Sequence, residues 1–164
     1  MAKDLLTRRG FSVYITATSQ ASLDAALLEL RPLAAAHKRE VEGTVALSAD
    51  VDKNHVVLKS LFESETFERL VALLGFPESE AVAPIHNMNA ATVKRMTDMM
   101  TRGMADPLAL ALHQWTSKNQ TGVFLGFSSN SAYCDLPQIE VYTAGRSFQT
   151  RLLPSASSFF AKHV

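Results

Sequence analysis

The sequence predicts an α+β fold built on an antiparallel sheet, and three observations carry that prediction. Residues 11–19 alternate apolar and polar side chains with the period of a strand. Residues 44–50 and 55–63 read as two further strands on either side of the turn-like stretch 51–54, which predicts a hairpin. Strands and helices come in mixed order, which is typical of α+β folds rather than of doubly wound parallel sheets. Because a chain of 164 residues is most often one domain, we expect a single domain over 1–164.

The first predicted strand, FSVYITATS at 11–19, leads into a predicted helix. Ser22 is a suitable N-cap for this helix, because its hydroxyl can accept a backbone N–H of the first turn. Leucines then recur at helical spacing. Pro32 predicts a kink or a break, because proline has no N–H to donate. Gly43 ends the helical region.

After the predicted hairpin, a further helix is expected to complete the first half of the chain. It begins at Ser64 and ends at Gly75, a residue type that favours helix ends. A loop is predicted between Pro77 and Pro84.

Residues 75–118 are predicted to form a helical insertion. Asn89 is a good N-cap for its first helix, and Gly103 is a natural end for it. Asp106 then caps a second helix, with Pro107 at the first helical position, where proline is favourable.

The last part of the chain, 119–164, is predicted to hold strands and a tail. Residues 123–128 and 139–144 have strand-like patterns, and 148–154 is expected to add another strand. Residues beyond it fit neither period.

Composition excludes several classes of protein. Sixteen basic and sixteen acidic residues give a net charge of zero, whereas nucleic-acid binders usually carry a basic excess. No apolar run approaches the ~20 residues that span a bilayer. The single cysteine, Cys134, cannot form an intramolecular disulfide, so we expect a cytoplasmic protein. The stretch TRRGF at 7–11 is similar to a twin-arginine export signal, but the alternating residues after it favour a strand over an apolar signal segment.

Residues 11–74 resemble the antibiotic-biosynthesis-monooxygenase-like group of dimeric α+β barrels, which have a ferredoxin-like fold. The resemblance rests on the opening FSVYITATS, the helix that runs into RPLAAAHKREVEG, and the segment TVALSADVDKNHVVLKSLFESETFERLVALL. It implies a ferredoxin-like first half, a homodimer, and a pocket between the sheet and the helices. Some members of that group oxidise small molecules without metal or flavin, so the resemblance also implies a cofactor-independent oxygenase. The segment after Gly75 is longer than such a domain needs.

A methionine-rich helix is the most distinctive feature of the middle of the chain. Val93, Met96 and Met100 lie at positions i, i+3 and i+7, on the side opposite Lys94 and Asp98. The spacing favours burial in a core or a dimer interface. A pocket for a small apolar ligand and a soft-metal site are the alternatives, because methionine also forms adaptable binding surfaces and ligates soft metals.

Two histidines are candidate catalytic residues, since imidazole is the commonest general base near neutral pH. His86 precedes the methionine-rich helix, and His113 lies in the helix after it. An exposed loop histidine and a half-buried histidine are the structural alternatives. Tyr14 and Thr16 are candidate polar ligand contacts on the mixed face of the first strand.

Met96, Met100 and Trp115 are the candidate apolar walls of the same site. No metal-ligand spacing, phosphate loop or dinucleotide fingerprint is present, so neither a metal nor a cofactor is expected. The sequence thus predicts a small-molecule-binding protein, with a cofactor-independent oxygenase as its sharpest form. A non-catalytic interaction or assembly module that uses the methionine-rich helix is the alternative. Neither hypothesis includes nucleic acid or a membrane.

Overall fold

The structure of this protein is a computed structural model that describes residues 1–46, 50–73 and 82–160. The chain divides into two compact units, residues 1–47 and residues 48–164. They are described in turn. No helix in the described part of the chain has both the length and the apolarity to cross a membrane.

The first unit is built around a strand–helix–strand repeat. Its elements are α1 (Ala2–Thr7), β1 (Val13–Ala17), α2 (Gln20–Ala36) and β2 (Val41–Val45). The two strands pair in parallel, with Val13 opposite Val41 and Ala17 opposite Val45. The core of this unit consists of Leu6, Leu23, Leu27, Leu30, Ala34 and Val41.

Helix α2 confirms the predicted helix but not its details. It begins earlier than predicted, because Ser19 and not Ser22 is the N-cap and accepts the backbone N–H of Ser22 at 3.2 Å. It also continues through Pro32, where we predicted a kink or a break. Pro32 and Leu28, four residues before it, are both exposed, so water can reach the carbonyl that loses its helical partner.

The second unit also contains two parallel strands, with three longer helices. Its elements are α3 (Val51–Ser64), β3 (Arg69–Ala72), α4 (Ala90–Ser117), β4 (Val123–Gly126) and α5 (Glu140–Phe160), with short 3-10 turns at Ile85–Asn87 and Asn130–Tyr133. Arg69 pairs with Val123, and Ala72 with Gly126. Helix α4 packs against α3 and against α5.

The predicted hairpin is wrong, because residues 51–64 form the helix α3. Asp50 caps this helix by accepting the N–H of Lys53 at 3.0 Å, so the stretch VDKN is a first helical turn and not a hairpin turn. Val51, Leu58 and Phe62 are buried or half-buried and are seven and four residues apart, which is helical spacing. The predicted helix from Ser64 to Gly75 is wrong in turn, since 69–72 is the strand β3.

Two predicted helices of the insertion are one continuous helix. Asn89 caps α4 as predicted, by accepting the N–H of Thr92 at 2.8 Å. The helix then runs through Gly103 and Pro107 to Ser117, so the predicted end and restart are wrong. Met104 and Leu108, which directly follow Gly103 and Pro107, are buried, and their packing outweighs the local preference of glycine and proline.

The predicted strands 139–144 and 148–154 are wrong as well, because both lie in α5. Val141, Gly145 and Gln149 are buried and lie four residues apart, on one face of the helix. At Gly145 an added Cβ would lie 2.5 Å from the Cβ of Met100, so glycine allows α5 to approach α4 closely. The loop predicted between Pro77 and Pro84 falls mostly on residues 74–81, which lie outside the described residues.

These strand pairings overturn the predicted fold class. Both described sheets are parallel, and helices connect their strands. A connection through a helix returns the chain in the same direction, whereas an antiparallel sheet needs the hairpins that are absent from the described residues. The fold is therefore a helix-rich α/β fold, and the prediction of an antiparallel, ferredoxin-like sheet is wrong.

Candidate functional site

Several polar side chains of the second unit lie at or near the carboxyl end of β4. Ligands of open α/β sheets bind at the carboxyl ends of the strands. Here β4 ends at Gly126, and Ser128 and Ser129 follow it directly. Helix α5 brings Arg146 alongside, and the ring of Tyr142 lies against its guanidinium group. We call Ser128, Ser129, Tyr142 and Arg146 the β4 site.

Arg146 is the centre of this arrangement. It is only 6% exposed, and its Nη1 donates to the carbonyl of Phe127 at 3.1 Å and to Oε1 of Gln149 at 3.0 Å. Its guanidinium carbon lies 5.0 Å from the centroid of the Tyr142 ring, a cation–π distance. The two residues are four apart on α5, so they share one face of the helix. A buried positive charge is thus placed against the aromatic ring of Tyr142.

Gln149 connects the β4 site to the neighbouring helix. Its side chain is 1% exposed. Its Nε2 donates to the carbonyl of Met100 on α4 at 2.8 Å, while its Oε1 accepts from Arg146. Through this amide, α4 determines where the guanidinium group lies.

Ser128 and Ser129 join the end of β4 to its surroundings. The hydroxyl of Ser128 donates to the carbonyl of Arg146 at 3.2 Å and lies 3.0 Å from the hydroxyl of Thr150. The hydroxyl of Ser129 accepts the N–H of Ser131 at 3.3 Å and so caps the 3-10 turn that follows. Both serines are therefore ordered by bonds to backbone groups.

Tyr142 differs from these residues because its polar group is not used. Its ring packs half-buried beside Met96 and Val141. Within the residues that the structure describes, its phenolic oxygen takes part in no hydrogen bond. The hydroxyl is therefore free to donate to a ligand or to accept from one.

A cleft of 270 Å³ adjoins the β4 site. Its walls come from α4, from the end of β4, from the 3-10 turn after it and from α5, and include Met104, Phe127, Ser128, Tyr133, Gln149 and Leu153. Drug-sized ligands occupy pockets of about 300–1,000 Å³. The cleft therefore suits a compact molecule with a mostly apolar body.

The start of α5 carries a carboxylate with a shifted pKa. The pKa of Glu140 lies below its ordinary value, chiefly because the backbone N–H of Glu140 itself donates to the carboxylate, against an opposing effect of desolvation. The backbone N–H groups of Gln138 and Ile85 donate as well, at 3.2 and 3.3 Å, and the charge of His86 adds to the same direction.

None of the site residues that the sequence predicted belongs to the β4 site. Tyr14 and Thr16 lie on β1 in the first unit, Tyr14 half-buried and Thr16 exposed. His86 is exposed in the 3-10 turn Ile85–Asn87. His113 is exposed on α4, at a separate cleft of 260 Å³ that Lys59, Glu63 and Lys118 also line. Their predicted roles stay predictions.

The predicted apolar walls are buried residues of α4. Met96 and Met100 are 0% and 1% exposed, which confirms the packing interpretation of the methionine-rich helix. Trp115 packs with Phe62, and its Nε1 donates to the carbonyl of Phe67 at 2.5 Å. Any ligand role of these three side chains stays a prediction. Among the described residues no group of histidine, cysteine, aspartate or glutamate has the arrangement of a metal site.

Sequence reasoning missed Ser128, Tyr142, Arg146 and Gln149. The signal that marks them is the spacing of Tyr142 and Arg146, which is meaningful only on a helix. The interpretation of 139–144 as a strand hid this pair, because residues four apart in a strand are about 13 Å from each other, at ~3.3 Å per residue.

Solved structures of oxidoreductases share this fold. No protein-family model matches the chain, and no curated protein sequence is similar to it. An acetoin dehydrogenase from Enterobacter cloacae superposes with a TM-score of 0.84 at 17% identity, covering 99% of this chain and 62% of that one. The bulky-bulky ketone specific alcohol dehydrogenase from Comamonas testosteroni superposes with a TM-score of 0.83 at 16% identity, covering 98% and 63%. A metagenomic short-chain oxidoreductase in complex with NADP gives 0.81 at 18% identity, covering 99% and 70%.

These comparisons settle the fold and correct the earlier expectations. The chain has the Rossmann-like fold of short-chain dehydrogenases and reductases, over about two thirds of the length of those proteins. The resemblance of residues 11–74 to dimeric α+β barrels is therefore wrong. The predicted small-molecule-binding protein of monooxygenase type is wrong with it, because the structures that share the fold are oxidoreductases of the dehydrogenase type. The interaction-module alternative gains no support from them.

Proposed function

We propose that this chain forms the substrate-binding part of an oxidoreductase that acts on a small alcohol or ketone. The substrate oxygen binds at the β4 site, and the compact carbon skeleton occupies the adjoining cleft. The observation that carries the proposal is the unused hydroxyl of Tyr142, whose ring lies against the buried Arg146, which in turn bonds the chain at the end of β4, where α/β folds bind ligands. The acetoin dehydrogenase that shares the fold supports this substrate class, because acetoin is a small molecule with both a ketone and a hydroxyl group.

The chemistry of the β4 site suits an oxygen that is either a carbonyl or a hydroxyl. A phenol can donate to a carbonyl oxygen and can accept from an alcohol, so Tyr142 can bind both the ketone and the alcohol. The positive charge of Arg146 favours partial negative charge on the bound oxygen. Oxidation of an alcohol to a ketone removes a hydride and a proton, so the complete reaction needs a hydride acceptor besides these residues.

Titration calorimetry with acetoin tests the proposal. Tyr142→Phe keeps the ring on which Arg146 stacks and removes only the hydroxyl. We expect it to weaken acetoin binding about 2- to 12-fold, which corresponds to the ~0.5–1.5 kcal/mol of one neutral hydrogen bond. Tyr133→Phe is the matched control, because Tyr133 lines the cleft and is exposed, whereas Tyr142 is the ring against which Arg146 lies. An unchanged affinity in Tyr142→Phe, or no binding to the unaltered protein, contradicts the proposal.

We also propose a cytoplasmic homodimer. Val123 and Leu125 alternate along β4, Phe127 follows it directly, and all three are exposed, although parallel sheets are usually covered on both faces. A net charge of zero offers little repulsion between two copies. Light scattering should give a dimer mass that Leu125→Lys reduces to a monomer mass, while Leu136→Lys, in an exposed loop, does not. A monomer mass for the unaltered protein contradicts the proposal.

The lone cysteine supports the cytoplasmic location, which cell fractionation tests.

A further inference from the structure

Helix α4 contains a weak turn between Gly103 and Pro107. Glycine and proline are the two least favourable residues in the interior of a helix, and α4 holds one of each, four residues apart. Proline has no backbone N–H, so the carbonyl of Gly103 loses the bond that a regular helix would give it. The buried Met104 and Leu108 stabilise one side of this turn by packing. We call it the 103–107 turn.

Four charged side chains join the other side of the 103–107 turn to α3. Arg102 and Asp106 lie two positions before and after Met104, so they face away from it, because two residues turn a helix by about 200°. Nη1 of Arg102 donates to Oδ1 of Asp52 at 2.7 Å, and its Nη2 donates to Oδ2 of Asp106 at 3.3 Å. The same Oδ2 lies 3.2 Å from Nδ1 of His55. We call Asp52, His55, Arg102 and Asp106 the α3 latch.

The charges of the α3 latch suit the contact between two helices better than they suit α4 alone. In an isolated helix the favourable order places the acid four residues before the base, and Arg102 and Asp106 have the reverse order. Each of them has a second partner on α3, which is Asp52 for Arg102 and His55 for Asp106. The side chain of Asp106 is only 21% exposed, which limits screening by water and salt. Asp106 is therefore the shared acceptor through which α3 holds the 103–107 turn.

The 103–107 turn also forms part of the wall of the cleft beside the β4 site. Met104 lines this cleft and is 0% exposed. An added Cβ at Gly126, the last residue of β4, would lie 2.9 Å from Cε of Met104. The methyl group of Met104 thus packs directly against the end of β4. A change in the 103–107 turn therefore displaces a side chain that shapes the cleft.

We propose that Arg102 and Asp106 are positioning residues, which keep α4 helical across the 103–107 turn through their bonds to α3 and thereby fix Met104 in the wall of the cleft. They act through Met104 and not on the ligand. The ligand of the cleft comes from the function proposed above, so the effect on ligand binding rests on that function. The latch itself rests on the contacts between α3 and α4.

Hydrogen exchange of the full chain, measured by NMR at each backbone amide, tests the latch. Asp106→Asn keeps the shape of the side chain and removes its charge. We expect the amides of residues 104–108 that have an N–H to exchange about 3- to 30-fold faster, as one or two charged hydrogen bonds are weakened. The amides of α5 should keep their exchange rates.

Asp98→Asn is the matched control for this experiment. Asp98 also lies on α4, is 28% exposed, and pairs with Lys94 of the same helix at 2.5 Å, so this ion pair does not join α4 to α3. It should leave the exchange of residues 104–108 unchanged. Unchanged exchange in Asp106→Asn overturns the proposal. Equal acceleration in both variants, or throughout α4 and α5, overturns it as well, because the effect would then be a general loss of stability.

The methyl NMR signal of Met104 measures the second step, from the latch to the cleft. The signal should shift in Asp106→Asn and stay in place in Asp98→Asn. Adding Gly103→Ala to Asp106→Asn should return the signal towards its original position, because alanine strengthens the helix at the weak turn. A Met104 signal that Asp106→Asn leaves unchanged overturns the positioning role.

Acetoin titrated into the same samples keeps this proposal apart from the proposed function. Weaker acetoin binding in Asp106→Asn, with unchanged binding in Asp98→Asn, supports both. If the unaltered protein binds no acetoin, the substrate site is contradicted, and the exchange rates and the Met104 signal still decide on the latch. If acetoin binds the unaltered protein and Asp106→Asn equally well, the role of the latch in shaping the cleft for its ligand is overturned.

Discussion

Two buried glutamines of the second unit perform different tasks. Gln114 on α4 is 4% exposed, and Gln149 on α5 is 1% exposed. Gln114 donates to the carbonyls of Phe62 and Glu65, at 2.7 and 2.6 Å, and accepts the N–H of Phe67 at 2.9 Å. Phe62 lies in the last turn of α3, and Glu65 and Phe67 lie between α3 and β3, so Gln114 determines how the chain leaves α3 towards β3.

Gln149 instead bonds one helix carbonyl and one charged side chain. Its partners are the carbonyl of Met100 and the guanidinium of Arg146, which stacks on Tyr142. The comparison teaches that burial and hydrogen bonding alone do not mark a functional residue. What distinguishes Gln149 is that its partner touches the side chain proposed to bind the ligand. Gln149 is thus a positioning residue of the β4 site, and Gln114 is a structural residue of the fold.

The largest effect on the free energy of unfolding is expected at Met100, where α4 meets α5 and where Gln149 bonds the backbone carbonyl. Met100→Ala should lower the free energy of unfolding by about 2–5 kcal/mol, because it leaves a cavity in a fully buried position. Lys94→Ala, on the exposed side of the same helix, should change it by no more than about 0.5 kcal/mol. Urea denaturation measures both. Stability left intact in Met100→Ala would mean that this face of α4 does not carry the packing.

Gln114→Leu should have the next largest effect. The substitution removes three hydrogen bonds and leaves buried backbone groups unsatisfied, so we expect a loss of about 3 kcal/mol. Acetoin affinity, measured under conditions in which the variant is folded, should stay unchanged. Weakened acetoin binding would show that the two glutamines are not separate in function.

Gln149→Leu should cost less stability and affect the ligand instead. Arg146 keeps its bond to the carbonyl of Phe127, so a loss of about 1–2 kcal/mol is expected. Acetoin binding should weaken, because the guanidinium loses one of the bonds that hold it under Tyr142. Gln149→Glu, which keeps an acceptor for Arg146, should restore part of the affinity. If Gln149→Leu and Gln114→Leu had the same effect on acetoin affinity, the proposed positioning role would be lost.

The smallest expected effect is on the pH dependence of stability, and it comes from Glu140 at the start of α5. The pKa of Glu140 is lower in the folded protein than its ordinary value of 4.5, so its carboxylate stabilises the fold above that value. The stabilisation is lost as the pH falls through the lowered pKa of the folded state. Melting temperatures of the protein and of Glu140→Gln should therefore differ at neutral pH and converge in acid. A difference that is constant with pH would mean that the carboxylate charge has no part in it.

Residues with strong local patterns were predicted correctly. The alternation of residues 11–19 predicted β1, the cap at Asn89 predicted the start of α4, and the spacing of Met96 and Met100 predicted their burial. Each of these signals depends on residues within a few positions of one another. The local chain supplies all the information that they need.

Two apolar segments were assigned the wrong element for a common reason. Short apolar runs such as HVVLKSLF and VYTAGRSF fit strand and helix patterns almost equally well. The decision depends on what covers each side, and Val141, Gly145 and Gln149 are buried because α4 lies against them. The β4 site was missed with the second segment, since Tyr142 and Arg146 meet only if α5 is a helix.

By itself, the sequence determined where helix α4 begins and which faces of α2 and α4 are buried, because caps and apolar stripes act over a few residues. The sequence also shows that the pattern G-x-G-x-x-G does not occur in it, because a residue pattern can be read without a structure. Only the tertiary structure decided that the strands pair in parallel and that Gln149, Arg146 and Tyr142 form one connected group. Strand direction and side-chain proximity depend on contacts between residues far apart in the chain, and a single sequence carries no direct record of those contacts.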